Sequence, residues 1–196
     1  MNSTLYLTRN GLLEPLGQSQ VMAYLRGLSH KHTITLITYE KPQDWADVTA
    51  MNRARADCNA HGIQWLPQRF RSHPKIIAPL FSMIRMVWLV RREVIRGDIR
   101  LIHARSYIPA AVALIVSRIT RVPFIFDMRA LWPEELIIAD RLRRGSLIHR
   151  AIVAAERACL AKSSGVISLT HAAAAYLKSE YPVELKNQRL VVIPTC

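Results

Sequence analysis

The sequence predicts an α/β protein built on a doubly wound, mainly parallel sheet. Strand-like segments alternate with helix-like segments along the chain, and the connections between strands are long enough to cross over to a parallel neighbour. Hydrophobic residue types make up 51% of the 196 residues and charged types 21%, which is typical of a packed protein. At this length we expect one domain covering residues 1–196.

The first half of the chain begins with a strand-like segment and an amphipathic helix. Residues 4–8 favour a strand, and a glycine-containing loop follows them. Residues 18–29 then place Val21, Tyr24 and Leu28 at the i, i+3 and i+7 positions of one helix face. The remaining segments of this half are strands at 33–39 and 63–66 and a helix at 44–61.

The second half continues the same alternation. A long helix over 78–96 is followed by a short apolar strand at 101–103. The remaining segments are helices at 110–119, 147–162 and 172–179, and strands at 123–126, 166–169 and 190–193.

Polar residues follow most of the predicted strands. In doubly wound sheets, ligands bind beyond the carboxyl ends of the strands, near the point where strand order reverses. The candidate functional residues are therefore expected in the segments that directly follow strands, which are 9–18, 39–40, 103–107, 127–129 and 170–171.

A nicotinamide- or flavin-binding protein of the Rossmann type is the first alternative. Glu40 ends the second predicted strand, where such proteins carry the acid that binds ribose. Residues 9–17 are nevertheless too long and bulky for G-x-G-x-x-G, whose glycines let the backbone approach pyrophosphate. The sequence also lacks the P-loop pattern and the G-x-S-x-G pattern of serine hydrolases.

Four segments together resemble a known family. They are EPLGQSQV at 14–21, IHARS at 102–106, FDMRALWPE at 126–134 and VVIP at 191–194. Their order and their places after strands one, four, five and the last are similar to the N-terminal half of a family-4-like glycosyltransferase of the GT-B fold. The resemblance covers essentially the whole chain.

This resemblance implies a Rossmann-like, acceptor-side domain that faces a donor domain across a cleft. The donor would be a nucleotide sugar, and such enzymes usually transfer the sugar with retention of anomeric configuration. No other cofactor and no metal are expected. The family's E-x7-E glutamate pair is not found in this sequence, so we expect the donor-binding domain to lie outside this chain. The chain alone is then expected to be inactive.

Nine residues form the candidate substrate-binding site, with Asp127 and His103 as candidate catalytic residues. Because the loops after strands one and four flank the reversal point and the loop after strand five lies beside them, we expect seven of the nine to meet in one open, water-accessible cleft: Gly17, Gln18, His103, Arg105, Ser106, Asp127 and Arg129. The whole set consists of Gly17, Gln18, His103, Arg105, Ser106, Asp127, Arg129, Trp132 and Glu134.

Structural interpretations of these residues also stay open. Gly17 can simply open the first helix, and His103 can be a hydrogen-bonded core histidine. Asp127 and Arg129 alternate along an extended segment, so they can pair with each other. Residues 132–134 can form a packed turn, whereas in a sugar site the tryptophan ring would stack on the sugar and the glutamate would bind hydroxyls.

The positive charge of the chain is concentrated in one region. The formal net charge is +13, and residues 69–105 carry nine Lys and Arg against two acids, a net charge of +7. A helix with apolar and basic stripes in this region fits an anionic membrane surface, as enzymes with lipid-linked sugar acceptors would require. It also fits a helix that packs on the core. The candidate membrane contacts, within 76–96, are Arg85, Trp88, Arg92 and Arg96.

Nucleic-acid binding is a further alternative, since the sequence pI is about 10.4. No helix-turn-helix, zinc-finger or RNP pattern accompanies the charge, so we expect such binding less than sugar binding. The three cysteines lack zinc-ligand spacing and indicate a reducing compartment. Without a secretory leader or a bilayer-spanning stretch, we expect a cytoplasmic location, with peripheral contact at the inner face of the plasma membrane.

Overall fold

The computed structural model describes residues 2–70 and 78–194. The strands are β1 Asn2–Thr8, β2 His32–Glu40, β3 Ile63–Arg69, β4 Leu101–Arg105, β5 Phe124–Asp127, β6 Gly165–Ser168 and β7 Leu190–Val192. The helices are α1 Ala23–Ser29, α2 Pro42–Ala46, α3 Val48–Ala60, α4 Ala78–Arg96, α5 Tyr107–Thr120, α6 Trp132–Ile138, α7 Leu147–Lys162 and α8 His171–Glu180. A π-helical segment, Gly17–Met22, leads directly into α1.

The seven strands form one parallel sheet in the order β3-β2-β1-β4-β5-β6-β7. Strand order reverses between β1 and β4, where Thr8 pairs with Arg105, and Arg105 in turn pairs with Asp127 on β5. The doubly wound α/β fold predicted from the alternating segments is confirmed. The register brings the carboxyl ends of β1, β4 and β5 to one edge of the sheet, next to the reversal point.

Each face of the sheet is covered by its own hydrophobic layer. On β1, Leu5 and Leu7 pack in the layer that includes α5, whereas Tyr6 between them packs with Met22 and Leu25 on the other face. This alternation follows from the two-residue period of a strand, and burial on both faces is typical of parallel sheets. Both faces of the sheet are therefore covered by apolar side chains, and polar side chains can gather at the carboxyl ends of the strands.

The structure corrects three predicted elements. The predicted helix at 18–29 begins as the π-helical segment. The predicted helix at 44–61 is divided at Asp47, whose carboxylate caps α3 by accepting a hydrogen bond from the Ala50 amide at 2.9 Å. Residues 132–134 begin helix α6, so the packed-turn interpretation is wrong. Pro133 in the first turn, followed by two acids, is a helix-start pattern that the sequence interpretation missed.

Within the described residues, 2–70 and 78–194, no helix is both long enough and apolar enough to span a bilayer. Cys58 and Cys159 are buried free thiols, and burial raises the pKa of each to about 12. Both cysteines therefore act as small core residues. Cys196 lies outside the described residues.

A buried carboxylate connects three helices on the α5 side of the sheet. Glu156 of α7 accepts hydrogen bonds from the hydroxyls of Tyr107, at the start of α5, and Tyr181, at the end of α8, both at 2.7 Å. Burial raises the pKa of Glu156 more than these two hydrogen bonds lower it. The folded state therefore binds a proton on this group more tightly than the unfolded state does.

Glu156→Gln should remove a pH-dependent part of the stability. A raised carboxyl pKa contributes stability that is fully present below the ordinary glutamate pKa and is lost as pH rises through the folded-state pKa. We expect the free energy of unfolding of the unmodified protein, relative to the variant, to fall between acidic and neutral pH in urea titrations. The exposed Glu135→Gln is the matched control, and a difference that stays flat or grows with pH would contradict this prediction.

Candidate functional site

A cleft of about 210 Å³ lies at the carboxyl edge of the sheet, next to the reversal point. Strands β4 and β5 supply Arg105 and Asp127, and the segment after β5 supplies Arg129. The π-helical segment and α1 supply Gln20 and Tyr24. We call this the polar cleft, defined by these five residues. It occupies the position where doubly wound sheets bind ligands.

Asp127 is the centre of a charge cluster in the polar cleft. One carboxylate oxygen lies 3.3 Å from His103 Nε2 and 3.7 Å from Arg105 Nη1. The other oxygen lies 3.3 Å from Arg129 Nη1. Asp127 is only 3% exposed, and His103 and Arg105 are also buried. A buried charge needs such partners, because an uncompensated ion in the interior is very costly.

The pKa of Asp127 reports the balance of these interactions. Burial by itself would raise it. The hydrogen bond with His103 and the positive charges of Arg129 and Arg105 outweigh burial, so the pKa lies below the ordinary aspartate value. Asp127 is therefore ionised at neutral pH and is a weak base.

Gln20 links the two arginines, and sequence analysis did not select it. Its side-chain oxygen accepts a hydrogen bond from Arg105 Nη2 and a second one from Arg129 Nη2 at 3.2 Å. Each guanidinium is thus held between a carboxylate and an amide. Gln20 lies in the EPLGQSQV segment, but the sequence pattern does not show that Gln20 rather than Gln18 lines the cleft.

His103 lies behind Asp127 and is not among the residues that line the polar cleft. Its ring packs against Tyr6, with centroids 4.4 Å apart, and meets the edge of Tyr24 at 6.0 Å. The expectation that His103, Arg105 and Asp127 are exposed to water is wrong. All three are buried, and Asp127 pairs with each of the other two. The structural interpretation of His103 as a hydrogen-bonded core histidine agrees with this placement.

Gly17 and Gln18 shape the first loop and do not line the polar cleft. A Cβ atom on Gly17 would collide with the carbonyl oxygens of Gly11 and Leu12, so close packing of the loop requires glycine there. Gln18 Nε2 donates to the Leu12 carbonyl oxygen at 2.8 Å. Both residues therefore affect the cleft indirectly, because they fix the backbone conformation of the loop that leads into the π-helical segment.

Ser106 and Trp132 line a second cavity, of about 420 Å³, that also contains Arg9 and Lys41; we call it the Arg9 pocket. Ser106 has φ 77° and ψ 175°, a conformation that is costly for a residue other than glycine, and its amide donates to the Asp127 carbonyl oxygen at 2.8 Å. Glu134 lines neither cavity and pairs with Arg144 on the surface. The nine predicted residues are therefore divided among the polar cleft, the Arg9 pocket and supporting positions.

Glu40 is not available to a ribose. Its side chain is fully buried and accepts hydrogen bonds from the Leu12 amide at 2.8 Å, the Leu13 amide at 3.4 Å and the Thr38 hydroxyl at 2.5 Å. A Cβ atom on Gly11 would lie 2.6 Å from its carboxylate. Glu40 therefore folds the first loop, and the nicotinamide alternative loses the residue that favoured it.

Comparison with known proteins agrees with this geometry. Residues 17–196 match the glycosyl transferase 4-like domain. The chain belongs to this family. No curated protein matches the sequence. Among the described residues, this glycosyl transferase 4-like domain contains no group of three His, Cys, Asp or Glu side chains suited to hold a metal ion.

Solved structures that the domain matches include GT-B glycosyltransferases of about twice its length. Sucrose-phosphate synthase of Thermosynechococcus elongatus matches 99% of this chain over 48% of its own, with 13% identity and a TM-score of 0.69. A UGT transferase of Siraitia grosvenorii in complex with UDP matches 99% over 50%, with 10% identity and a TM-score of 0.62. HepE of Anabaena in complex with UDP and glucose matches 98% over 44%, with 17% identity and a TM-score of 0.54.

Asp127→Asn should strongly destabilise the domain. The substitution keeps the shape of the side chain but leaves two arginines, of which Arg105 is buried, without their counter-charge, which costs about 3–5 kcal/mol. Asp98→Asn is the control, because Asp98 pairs with Arg100 on the surface, where such pairs contribute about 0–1 kcal/mol. Both changes are measured as free energies of unfolding in urea at neutral pH.

The same comparison has a defined pH dependence. A lowered carboxyl pKa contributes stability that is present above the ordinary aspartate pKa and is lost as pH falls through the folded-state pKa. The difference between the unmodified domain and Asp127→Asn should therefore shrink in acid. Equal, small effects of Asp127→Asn and Asp98→Asn at neutral pH would show that the cluster does not stabilise the fold.

Proposed function

We propose that this chain is the acceptor-binding domain of a retaining, nucleotide-sugar-dependent glycosyltransferase that acts in polysaccharide or glycolipid assembly. The observation that carries the proposal is the polar cleft, where two arginines, an amide and a tyrosine ring meet at the reversal point of the sheet. Guanidinium and amide groups suit sugar hydroxyls and phosphates, and an aromatic ring suits the apolar face of a sugar. Membership of the glycosyl transferase 4-like family supports this chemistry.

Arg129 is the residue we expect to contact the acceptor or the donor phosphates. Its side chain lines the polar cleft and is 16% exposed, compared with 8% for Arg105 and 4% for Asp127. Asp127 and Gln20 hold it in one orientation, so little entropy is lost when it binds a ligand. Since Asp127 is already paired with three donors, we assign it and His103 to positioning the arginines.

The donor would be bound by a second domain. The chain spans about half the length of the solved structures it matches, which supports the presence of a partner half in the complete enzyme. Fixed positive charges at the mouth of the polar cleft would stabilise the leaving diphosphate and the charge that develops during transfer. We therefore expect the 196-residue chain by itself to transfer no sugar.

In the complete enzyme, Arg129→Gln should lower kcat/KM by about 10²-fold, since removal of one preorganised charged donor has effects of this size. Its melting temperature should change little, because Asp127 keeps Arg105 and His103 as partners. Arg100→Gln, which changes a surface pair, should leave transfer unaffected. Parallel losses of transfer and of folding in Arg129→Gln would contradict the acceptor-site assignment, as would normal transfer.

We also propose that helix α4 contacts an anionic membrane. The side chains of Ile84, Trp88 and Ile95 are 58–60% exposed, whereas Met86 and Val90 face the core. Helix α4 packs on the core through this second set of residues, so the stripe with Ile84, Trp88 and Ile95 stays exposed. The surface of α4 therefore combines apolar groups suited to insertion with basic groups suited to lipid headgroups.

Basic side chains surround these apolar residues. Arg85, Arg91 and Arg96 are exposed, and the Arg92 guanidinium lies 5.0 Å from the centre of the Trp88 ring. Arg92 also pairs with Glu93, so its charge is partly compensated within the helix. Residues 71–77 lie outside the described part of the chain, as do the side chains of 78–81.

Replacing Arg85, Arg92 and Arg96 together by Gln should weaken cosedimentation with phosphatidylglycerol-containing vesicles by about 100-fold, given about 1 kcal/mol for each basic residue at the surface. The control triple variant replaces Arg53, Arg55 and Arg150 and removes the same charge from other exposed positions. Equal weakening by both variants, or duplex DNA bound as tightly as vesicles of matched charge, would contradict a membrane contact through α4.

A further inference from the structure

An apolar groove of about 440 Å³ lies between α5 and α7 and adjoins the Arg9 pocket. The two cavities share three lining residues, Tyr107, Ile108 and Trp132. We call the apolar groove between α5 and α7 the α7 groove. Both volumes fall in the range of about 300–1,000 Å³ that is typical of small-molecule sites.

One face of α7 forms a wall of this groove. Ile148, Ala151, Ile152 and Ala155 occupy the i, i+3, i+4 and i+7 positions and all line it. The alanines leave room for a ligand along the helix. Ile148 is 67% exposed, so the groove opens to the surface at the start of α7.

The floor of the α7 groove is apolar apart from one thiol and one carboxylate whose two oxygens are both hydrogen-bonded. It includes Phe126, Cys159 and Glu156, and both oxygens of Glu156 accept tyrosine hydroxyls. An apolar lining with its few polar groups already paired favours a hydrocarbon over water or a sugar.

The adjoining Arg9 pocket is positively charged. Among residues 2–70 and 78–194, no carboxylate lies within salt-bridge distance of Arg9, whose guanidinium lies 5.2 Å from the centre of the Phe70 ring. Lys41 Nζ lies 3.4 Å from Glu14, which offsets one of the two positive charges. Helix α5 begins at this pocket, and Ser106 makes no side-chain capping bond, so the positive end of the helix adds to the charge.

We propose that the Arg9 pocket and the α7 groove together bind a lipid phosphate, with the phosphate or diphosphate at Arg9 and the hydrocarbon chain in the groove. A purely apolar ligand would leave Arg9 without a counter-charge, and a free phosphate would leave the apolar groove unfilled. Arg105 lines the polar cleft and its neighbour Ser106 lines the Arg9 pocket, so both sites lie at the carboxyl end of β4. This inference rests on the proposed acceptor role and names the acceptor class, a lipid-linked phosphate.

Binding of decyl phosphate, below its micelle concentration, tests the hydrocarbon part by calorimetry. Ala155→Trp places an indole in the α7 groove and should weaken binding by at least about tenfold, which is 1.4 kcal/mol. Ala154→Trp is the matched control, since Ala154 is an exposed neighbour on α7 outside the groove lining, and it should bind normally. Equal affinity in both variants would overturn the groove assignment, as would failure of the unmodified domain to bind.

Three further measurements test the headgroup part. Arg9→Gln should weaken decyl phosphate binding by at least about fivefold, whereas the exposed Arg55→Gln should not. Inorganic phosphate and 1-decanol should each bind at least about tenfold more weakly than decyl phosphate. If 1-decanol binds as tightly, the headgroup assignment is wrong. These probes do not depend on Arg129, so their failure leaves the proposed transferase function to be judged by the Arg129→Gln assay alone.

Discussion

A buried carboxylate that stays ionised must be surrounded by positive or donating groups, and this constraint on Asp127 organises the functional edge of the domain. Its partners come from different elements: His103 and Arg105 from β4, and Arg129 from the segment after β5. Gln20 adds the first helical segment by accepting from both arginines. The polar cleft is consequently defined by the same interactions that join the two central strands to the first helix, and its arginines are oriented before any ligand arrives.

A second buried carboxylate, Glu40, has a different task at the same edge. It binds backbone amides of the loop after β1 and so determines the shape of that loop. Gly11 and Gly17 permit the close packing that results. The loop leads into the π-helical segment and places Gln20 next to Arg105 and Arg129 at the reversal point. Glu40 thus determines the backbone conformation of the first loop, and Asp127 positions the charged side chains of the polar cleft.

The sequence predicted the architecture because each strand and helix carries its own periodic pattern, and the topological rule for doubly wound sheets placed Arg105, Asp127 and Arg129 together. It did not predict that His103 lies behind Asp127, since which of two neighbouring polar groups faces solvent depends on side-chain packing. Gln20 was missed for the same reason. The start of α6 was not predicted either, although Pro133 and the two acids after it are typical of a helix N-terminus.

A double-mutant cycle between Asp127 and Arg129 tests most directly whether one buried carboxylate organises the polar cleft. The free energies of unfolding of Asp127→Asn, Arg129→Gln and the double variant are measured in urea at neutral pH. The account predicts that the double variant is less destabilised than the sum of the single variants by about 1–3 kcal/mol, as expected for residues in one buried network. Additive effects, within about 0.5 kcal/mol, would contradict it.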